Sequence, residues 1–209
     1  DGDADRLIAV DEHGELIDGD QMLVICGLDM KKRGVLKKNT VVGTVMSNLG
    51  FEKALKNAGC NVVKTNVGDR YVLEKMLAEG YCIGGEQSGH VIFLDYNTTG
   101  DGILTALQLL SIMKRENRKL SQLAEVMEKF PQVLANARVS EVNKMYYDQD
   151  PDIQKEIERI ENRFEGQGRV LIRPSGTEPL VRVMIEGKDQ REIEEYAVGL
   201  AMLIEEKLK

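Results

Sequence analysis

Between residues 40 and 96 the sequence alternates between β-rich runs and amphipathic stretches that end on glycine. Residues 40–48 (TVVGTVMSN) are β-rich, and 50–59 (GFEKALKNAG) read as a helix stopped by Gly59. Residues 60–68 (CNVVKTNVG) form the next strand pattern. Residues 69–80 (DRYVLEKMLAEG) read as a helix with Asp69 as the expected N-cap and Gly80 as the stop. A short strand (YCIGG, 81–85), a turn (EQSG) and an extended HVIFLDY follow. Strand, helix, strand, helix, strand predicts an α/β layer around a largely parallel or mixed sheet.

On the N-terminal side, LIAV (7–10) reads as a short buried strand. A helix is expected from Asp20 to Lys32 with Met22, Leu23, Cys26 and Met30 inward. On the other side, DGILTALQLLSIMKRE (101–116) is apolar on nearly every side, which predicts a helix buried all round. A shorter helix with Ser121 as its N-cap leads to Pro131, where the pattern changes. Beyond it a smaller α+β unit is expected. Its first helix starts on Asp150 and Pro151 and carries Ile153, Ile157, Ile160 and Phe164 on one face. Two strands joined by a tight loop follow (169–187). A last helix turns Ile193, Ala197, Leu200 and Ile204 inward.

A formal charge of −7 disfavours nucleic acid as a partner. A small phosphorylated ligand remains compatible, because it needs only a local cationic pocket. No apolar run approaches the roughly 18 residues of a membrane span. The three cysteines, Cys26, Cys60 and Cys82, show no CxxC spacing and read as buried free thiols in a reducing compartment.

Three segments could carry chemistry. In DGDADR, Asp1, Asp3 and Asp5 at alternate positions can point carboxylates at one hard cation, with Arg6 beside it for a phosphoryl oxygen. A solvated acidic tail is the alternative. An EF-hand is disfavoured, since its sixth position needs glycine and holds Arg6. In GGEQSGH, glycines bracket Glu86 and Ser88, whose groups suit sugar hydroxyls; His90 can act near neutral pH or serve as a structural donor. An ordinary glycine-rich turn is the alternative. In RPSGTEPLVR, Pro174 and Gly176 are expected to force a turn. Ser175, Thr177 and backbone N–H groups there can face one anion, with Arg173 and Arg182 flanking it. A plain hairpin is the alternative, and the segment is not a P-loop. VGDRYV places Arg70 and Lys75 near a helix start, with Asp69 read as a plain cap.

Together, in this order, the three loops resemble the α-D-phosphohexomutase family, and the resemblance runs over essentially the whole chain. TVMSNLGF, GDRYVLEKM, GGEQSGHVIF, TGDGILTALQL and RPSGTEPLVRVMIEG are most similar to its bacterial branch acting on glucosamine phosphates. Gln87 fits that branch by resemblance alone. Phosphomannomutase and phosphoglucomutase activities, or a non-catalytic phosphosugar-binding module, remain open at this point.

The resemblance implies a four-domain enzyme whose fourth domain is similar to the TATA-binding-protein fold. Residues 1–14 would be the end of domain 2, 15–131 domain 3 and 132–209 domain 4. It implies Mg²⁺ on Asp1, Asp3 and Asp5, Arg6 as a catalytic residue beside the transferring phosphoryl group, and His90 as a second catalytic residue close to the sugar hydroxyls. Glu86 and Ser88 would bind sugar hydroxyls. Arg173, Ser175, Gly176, Thr177 and Arg182 would hold the second phosphate. The implied reaction interconverts glucosamine 6-phosphate and glucosamine 1-phosphate, supplying UDP-N-acetylglucosamine for the cell wall. It passes through a phosphoserine and a glucosamine 1,6-bisphosphate, with glucose 1,6-bisphosphate as an alternative activator. A cytoplasmic location and a phosphosugar partner are implied, and a homodimer is one assembly left open. The family's phosphoserine loop, reading like T-A-S-H-N-P, is not among these residues; none of the six serines (Ser47, Ser88, Ser111, Ser121, Ser140, Ser175) has that context. The expectation is a C-terminal portion that is inactive by itself.

Overall fold

A central strand, β3 (Thr40–Thr44), is buried at every residue. In the computed structural model, which describes all of residues 1–209, it lies between β4 (Asn61–Thr65) and β5 (Ile83–Gly85), parallel to both. A strand covered on both faces reads as a continuous apolar run, which is why TVVGT shows no alternation. β6 (Val91–Phe93) closes the sheet antiparallel to β5, giving the order β4-β3-β5-β6. The mixed sheet expected from the alternating pattern is therefore present.

The chain divides into two compact units, Asp1–Lys129 and Phe130–Lys209. In the first, α1 (Gly19–Lys32) opens on a capping box in which Asp18 and Gln21 satisfy each other's backbone N–H groups. α2 (Leu49–Asn57) is capped by Asn48, and α3 (Asp69–Glu79) ends on left-handed Gly80. α4 (Gly102–Glu116) and the short α5 (Leu120–Ala124) complete the unit. Phe51, Leu55, Met22, Leu23 and Ile83 are fully buried in its main core. Truncating a side chain such as Phe51 to alanine would cost about 3–5 kcal/mol.

Several local expectations change. The 7–10 segment is an edge hairpin rather than a buried strand: β1 (Ala9–Val10) pairs only with β2 (Leu16–Ile17). Leu7 and Ala9 pack on the core, while Ile8, Val10 and Leu16 are exposed. α4 is not buried all round. Thr105, Leu109 and Ile112 face inward, while Ile103, Leu107 and Leu110 lie on the opposite, exposed face. Asp69 is not the cap of α3; Gly68 holds that position with a φ of 128°. Ser121 is not a cap either: it lies inside α5, and its hydroxyl bonds Glu12.

The second unit holds one strand more than the sequence pattern suggested. β7 (Gln132–Arg138), β8 (Arg169–Pro174) and β9 (Leu180–Glu186) form an antiparallel sheet in the order β7-β9-β8. On its central strand β9, Val181, Val183 and Ile185 join the core against the helices, while Met184 and Glu186 on the other face are buried as well. α6 (Pro151–Phe164) starts on the Asp150 cap, and α7 (Gln190–Leu208) buries Ile193, Ala197, Leu200 and Ile204 as its spacing predicts. β7 was missed because ANAR breaks the β-branched signature; its small Ala135 and Ala137 fit under α7. No helix is long and apolar enough to cross a membrane.

Candidate functional site

The parallel strands β3, β4 and β5 end at one edge of their sheet, and the antiparallel β6 begins there. In open α/β sheets that edge is where ligands bind. The segments 1–7, 66–68 and 86–90 meet at it.

Glu86 to Gly89 make a tight turn, with Gly89 N–H donating to Glu86 O and Glu86 N–H to His90 O. Gly89 needs its φ of 92° there. Glu86 Oε1 accepts the Gly68 N–H at 2.9 Å, which fixes the carboxylate against the start of α3. The Ser88 side chain is exposed and bonds no other protein group. The turn thus presents a held carboxylate and a free hydroxyl, groups suited to neighbouring sugar hydroxyls. Gly19 N–H donates to Gln87 O, and a Cβ on Gly19 would lie 1.9 Å from Glu86 O. The first residue of α1 therefore locks the turn from behind.

The N-terminal loop is stitched to the same turn. Leu7 N–H donates to Gly89 O, and Arg6 forms an isolated antiparallel bridge with His90. Residues 99–102 close the loop from the other side. Gly102 N–H donates to Ala4 O at 2.8 Å, and Gly100 N–H donates to His90 Nε2 at 3.2 Å. A Cβ on Gly100 would meet the His90 ring at 2.4 Å. His90, 4% exposed, thus uses Nε2 as an acceptor, not as the structural donor the sequence allowed. The same atom lies 3.9 Å from both Asp5 Oδ2 and Asp69 Oδ2. Asp69, read from sequence as a plain cap, therefore stands at the site.

The three alternate aspartates do not converge. Asp1 Oδ2 pairs with Arg6 at 2.6 Å, and Asp3 is exposed. Asp5 turns inward, with Oδ1 buried, without a hydrogen-bond partner and 3.8 Å from Arg6 Nε. No three His, Cys, Asp or Glu side chains gather closely enough to hold a metal ion. Mutual repulsion spreads the carboxylates, and the adjacent guanidinium captures one of them. The orphaned Asp5 oxygen and the all-carboxylate donor set nonetheless fit a hard cation, which takes oxygen ligands. The thiols offer no nucleophile. Cys26, Cys60 and Cys82 are all buried and free. Burial, helped by Asp29, pushes Cys26 up to about 12, far from a reactive thiolate.

In the second unit Arg173 and Arg182 stand directly opposite each other on β8 and β9, and Asn136 of β7 continues the row. Arg182 also reaches Glu178 at 3.3 Å, whereas Arg173 has no acidic partner. Like charges in direct register destabilise a sheet pair, so the arrangement is one that a bound anion would relieve. The following turn is built differently from the expectation. Gly176 is not left-handed and has room for a Cβ. Ser175 makes the turn instead: its N–H donates to Leu180 O, and its Oγ accepts from Thr177 N–H and Glu178 N–H. The Ser175 O–H stays available as a donor, and Gly176 and Thr177 are exposed beside it. Lys144, which the sequence reading passed over, reaches Ser175 O from beneath.

Known proteins are similar in sequence and fold. Residues 18–130 match the model of the phosphoglucomutase/phosphomannomutase alpha/beta/alpha domain III, and residues 113–202 match that of the phosphoglucomutase/phosphomannomutase C-terminal domain. The chain is 65% identical over 208 residues to phosphoglucosamine mutase of Alkaliphilus oremlandii, with all of this chain and 46% of that protein covered. It is 62% identical, at the same coverage, to phosphoglucosamine mutase of Caldanaerobacter subterraneus subsp. tengcongensis. The chain therefore spans about half the length of the curated relatives it matches. The crystal structure of Aspergillus fumigatus N-acetylphosphoglucosamine mutase in complex with GlcNAc-6P and magnesium is similar in fold. Its TM-score is 0.80 at 22% identity, with all of this chain and 48% of that one covered.

Proposed function

The chain belongs to the phosphoglucomutase/phosphomannomutase family, and on that premise we propose that it supplies the sugar- and phosphate-binding half of a phosphoglucosamine mutase. Joined to a domain bearing a phosphoserine, it would serve the interconversion of glucosamine 6-phosphate and glucosamine 1-phosphate through a 1,6-bisphosphate. The product would feed UDP-N-acetylglucosamine and peptidoglycan synthesis in the cytoplasm. The observation that carries this reading is the stitching of the Asp5–Arg6 loop onto the Glu86–His90 turn by the Arg6–His90 bridge and the Leu7–Gly89 hydrogen bond. It puts the Asp5 and Glu86 carboxylates, the Arg6 guanidinium and the Ser88 hydroxyl at one sheet edge, which supports the reading.

In this reading Glu86 and Ser88 accept and donate to the sugar hydroxyls, and so fix the ring. Arg6 sits where a phosphoryl group in transit gains negative charge, and a guanidinium there stabilises that charge through paired N–H donors. Asp1, Asp3 and Asp5 would hold Mg²⁺, with Asp1 exchanging its Arg6 partner for the ion. That ion, when bound, would polarise the phosphoryl oxygens. His90 fixes the loop by accepting from Gly100, and acts as a positioning residue. In the second unit Arg173, Arg182, Ser175, Thr177 and the Gly176 N–H would grip the phosphate that is not being transferred.

The test is kinetic. The full-length protein should show a higher kcat/KM for glucosamine 1-phosphate than for glucose 1-phosphate or mannose 1-phosphate. Equal or reversed preference would assign it to the phosphoglucomutase or phosphomannomutase activities instead.

A further inference from the structure

Lys144 lies in a 3₁₀ turn (Asn143–Met145) that none of the loops named above includes. Its side chain is only 10% exposed. A lysine is almost never so buried without partners, and this one has two. Its Nζ donates to Ser175 O at 2.9 Å and pairs with Glu141 Oε1 at 2.5 Å. Ser140 organises the turn from which it reaches: Ser140 O accepts Lys144 N–H, and Ser140 Oγ accepts Asn143 N–H.

The consequence lies in the next peptide. A trans peptide is planar, so its C=O and N–H point in opposite directions. By drawing Ser175 O inward, Lys144 turns the Gly176 N–H outward, and that N–H has no protein acceptor. It emerges beside the exposed Thr177, on the loop next to the Arg173–Arg182 pair. The ammonium also leaves a positive charge beneath the loop, only partly offset by a Glu141 carboxylate that is 67% exposed.

We propose that Lys144 is a positioning residue for anion binding: it sets the Ser175–Gly176 peptide so that the Gly176 N–H meets a phosphate oxygen, and adds a fixed cation under the loop. This deepens the phosphate reading of the second unit and rests on it. It also explains why the loop carries glycine at 176 although neither its φ nor its surroundings demand one. A residue without a side chain leaves the outward N–H open to a ligand as large as phosphate.

The test is a titration of the 209-residue chain with inorganic phosphate, followed by amide NMR. In the wild type the Gly176 amide is expected to shift in a saturable way, together with Thr177. In Lys144→Met the dissociation constant read at residues 173–182 is expected to rise at least about tenfold, with amide shifts elsewhere in the second unit unchanged. Lys144→Arg, which keeps donor and charge, should bind within about threefold of the wild type. If Lys144→Met binds as the wild type does, the proposal fails. It fails too if residues 173 and 177 respond in the wild type while Gly176 does not, a result that needs no variant to fold and leaves the phosphate reading intact. If no residue of 173–182 responds, the phosphate reading itself falls, and the role of Lys144 with it.

Discussion

Replacing Arg173 by methionine should weaken phosphate binding and, at the same time, strengthen the sheet that carries it. Arg173 faces Arg182 across β8 and β9, and no acidic side chain neutralises it. Methionine keeps an apolar stem of similar reach and removes only the guanidinium. A hydrogen bond to a charged group contributes about 1.5–3 kcal/mol, so loss of this one should raise the phosphate dissociation constant roughly 10- to 150-fold. Without ligand the sign reverses. Relief of a like-charge cross-strand pair is worth on the order of 0.2–1 kcal/mol, so amides of β9 should exchange with solvent the same or up to about fivefold more slowly. The assay is hydrogen exchange of the β9 amides with and without phosphate, alongside a phosphate titration. Faster exchange in the ligand-free variant would mean that Arg173 is held for structure, and the anion-clamp argument would be wrong. So would unchanged phosphate affinity.

Gly19→Ala should disturb the Glu86–Gly89 turn at a distance. Its Cβ would fall 1.9 Å from Glu86 O and 2.8 Å from Gly89 N, so the turn must move by about 1 Å, a displacement that can cost about 100-fold in rate; kcat/KM of the full-length protein measures it, and a value within threefold of the wild type would refute the contact. Glu52 gives a pH signature. Burial alone would raise its carboxyl, but hydrogen bonds from Lys56 and Lys64 outweigh burial and hold it down to about 2, against an ordinary 4.5. A carboxylate depressed in the folded state stabilises it above the unfolded value, and that contribution disappears as pH falls through the folded one. The stability gap between wild type and Glu52→Gln, read by urea unfolding, should be full above pH 4.5 and gone near pH 2; a gap constant over that range would contradict the pairing.

Much of the architecture was legible because it rests on local rules. Gly80 ends α3 in the left-handed region, Asp150 and Pro151 start α6, and the α7 stripe at Ile193, Ala197, Leu200 and Ile204 is buried. Each is a statement about one turn of chain or one helical period. Failures came where burial depends on partners that sequence spacing does not name. α4 is apolar on two faces, yet only one meets the core of its unit. β7 carries Val133 as its one β-branched residue, because α7 packs directly over Ala135 and Ala137. Among site residues, the three loops announced themselves by composition. Asp69 did not, because an aspartate at a helix start has a sufficient local explanation. Gly19 and Gly100 did not, because what constrains them lies far along the chain, at Glu86 and His90.

By itself the sequence determined the layer types, most of the order of helices and strands with β7 as the exception, and which short segments bring oxygen and guanidinium groups together. These follow from periodicity, capping and side-chain chemistry, all of which act within a few residues. Tertiary structure alone decided how those groups are used. It bridged Arg6 to His90, turned Asp5 inward and Asp1 onto Arg6, made Nε2 of His90 an acceptor, and set Lys144 beneath Ser175. The reason is the range of the forces involved. A hydrogen bond or an ion pair acts over a few ångströms, so its partner is fixed only once the packing of the whole unit has brought distant segments to the same place.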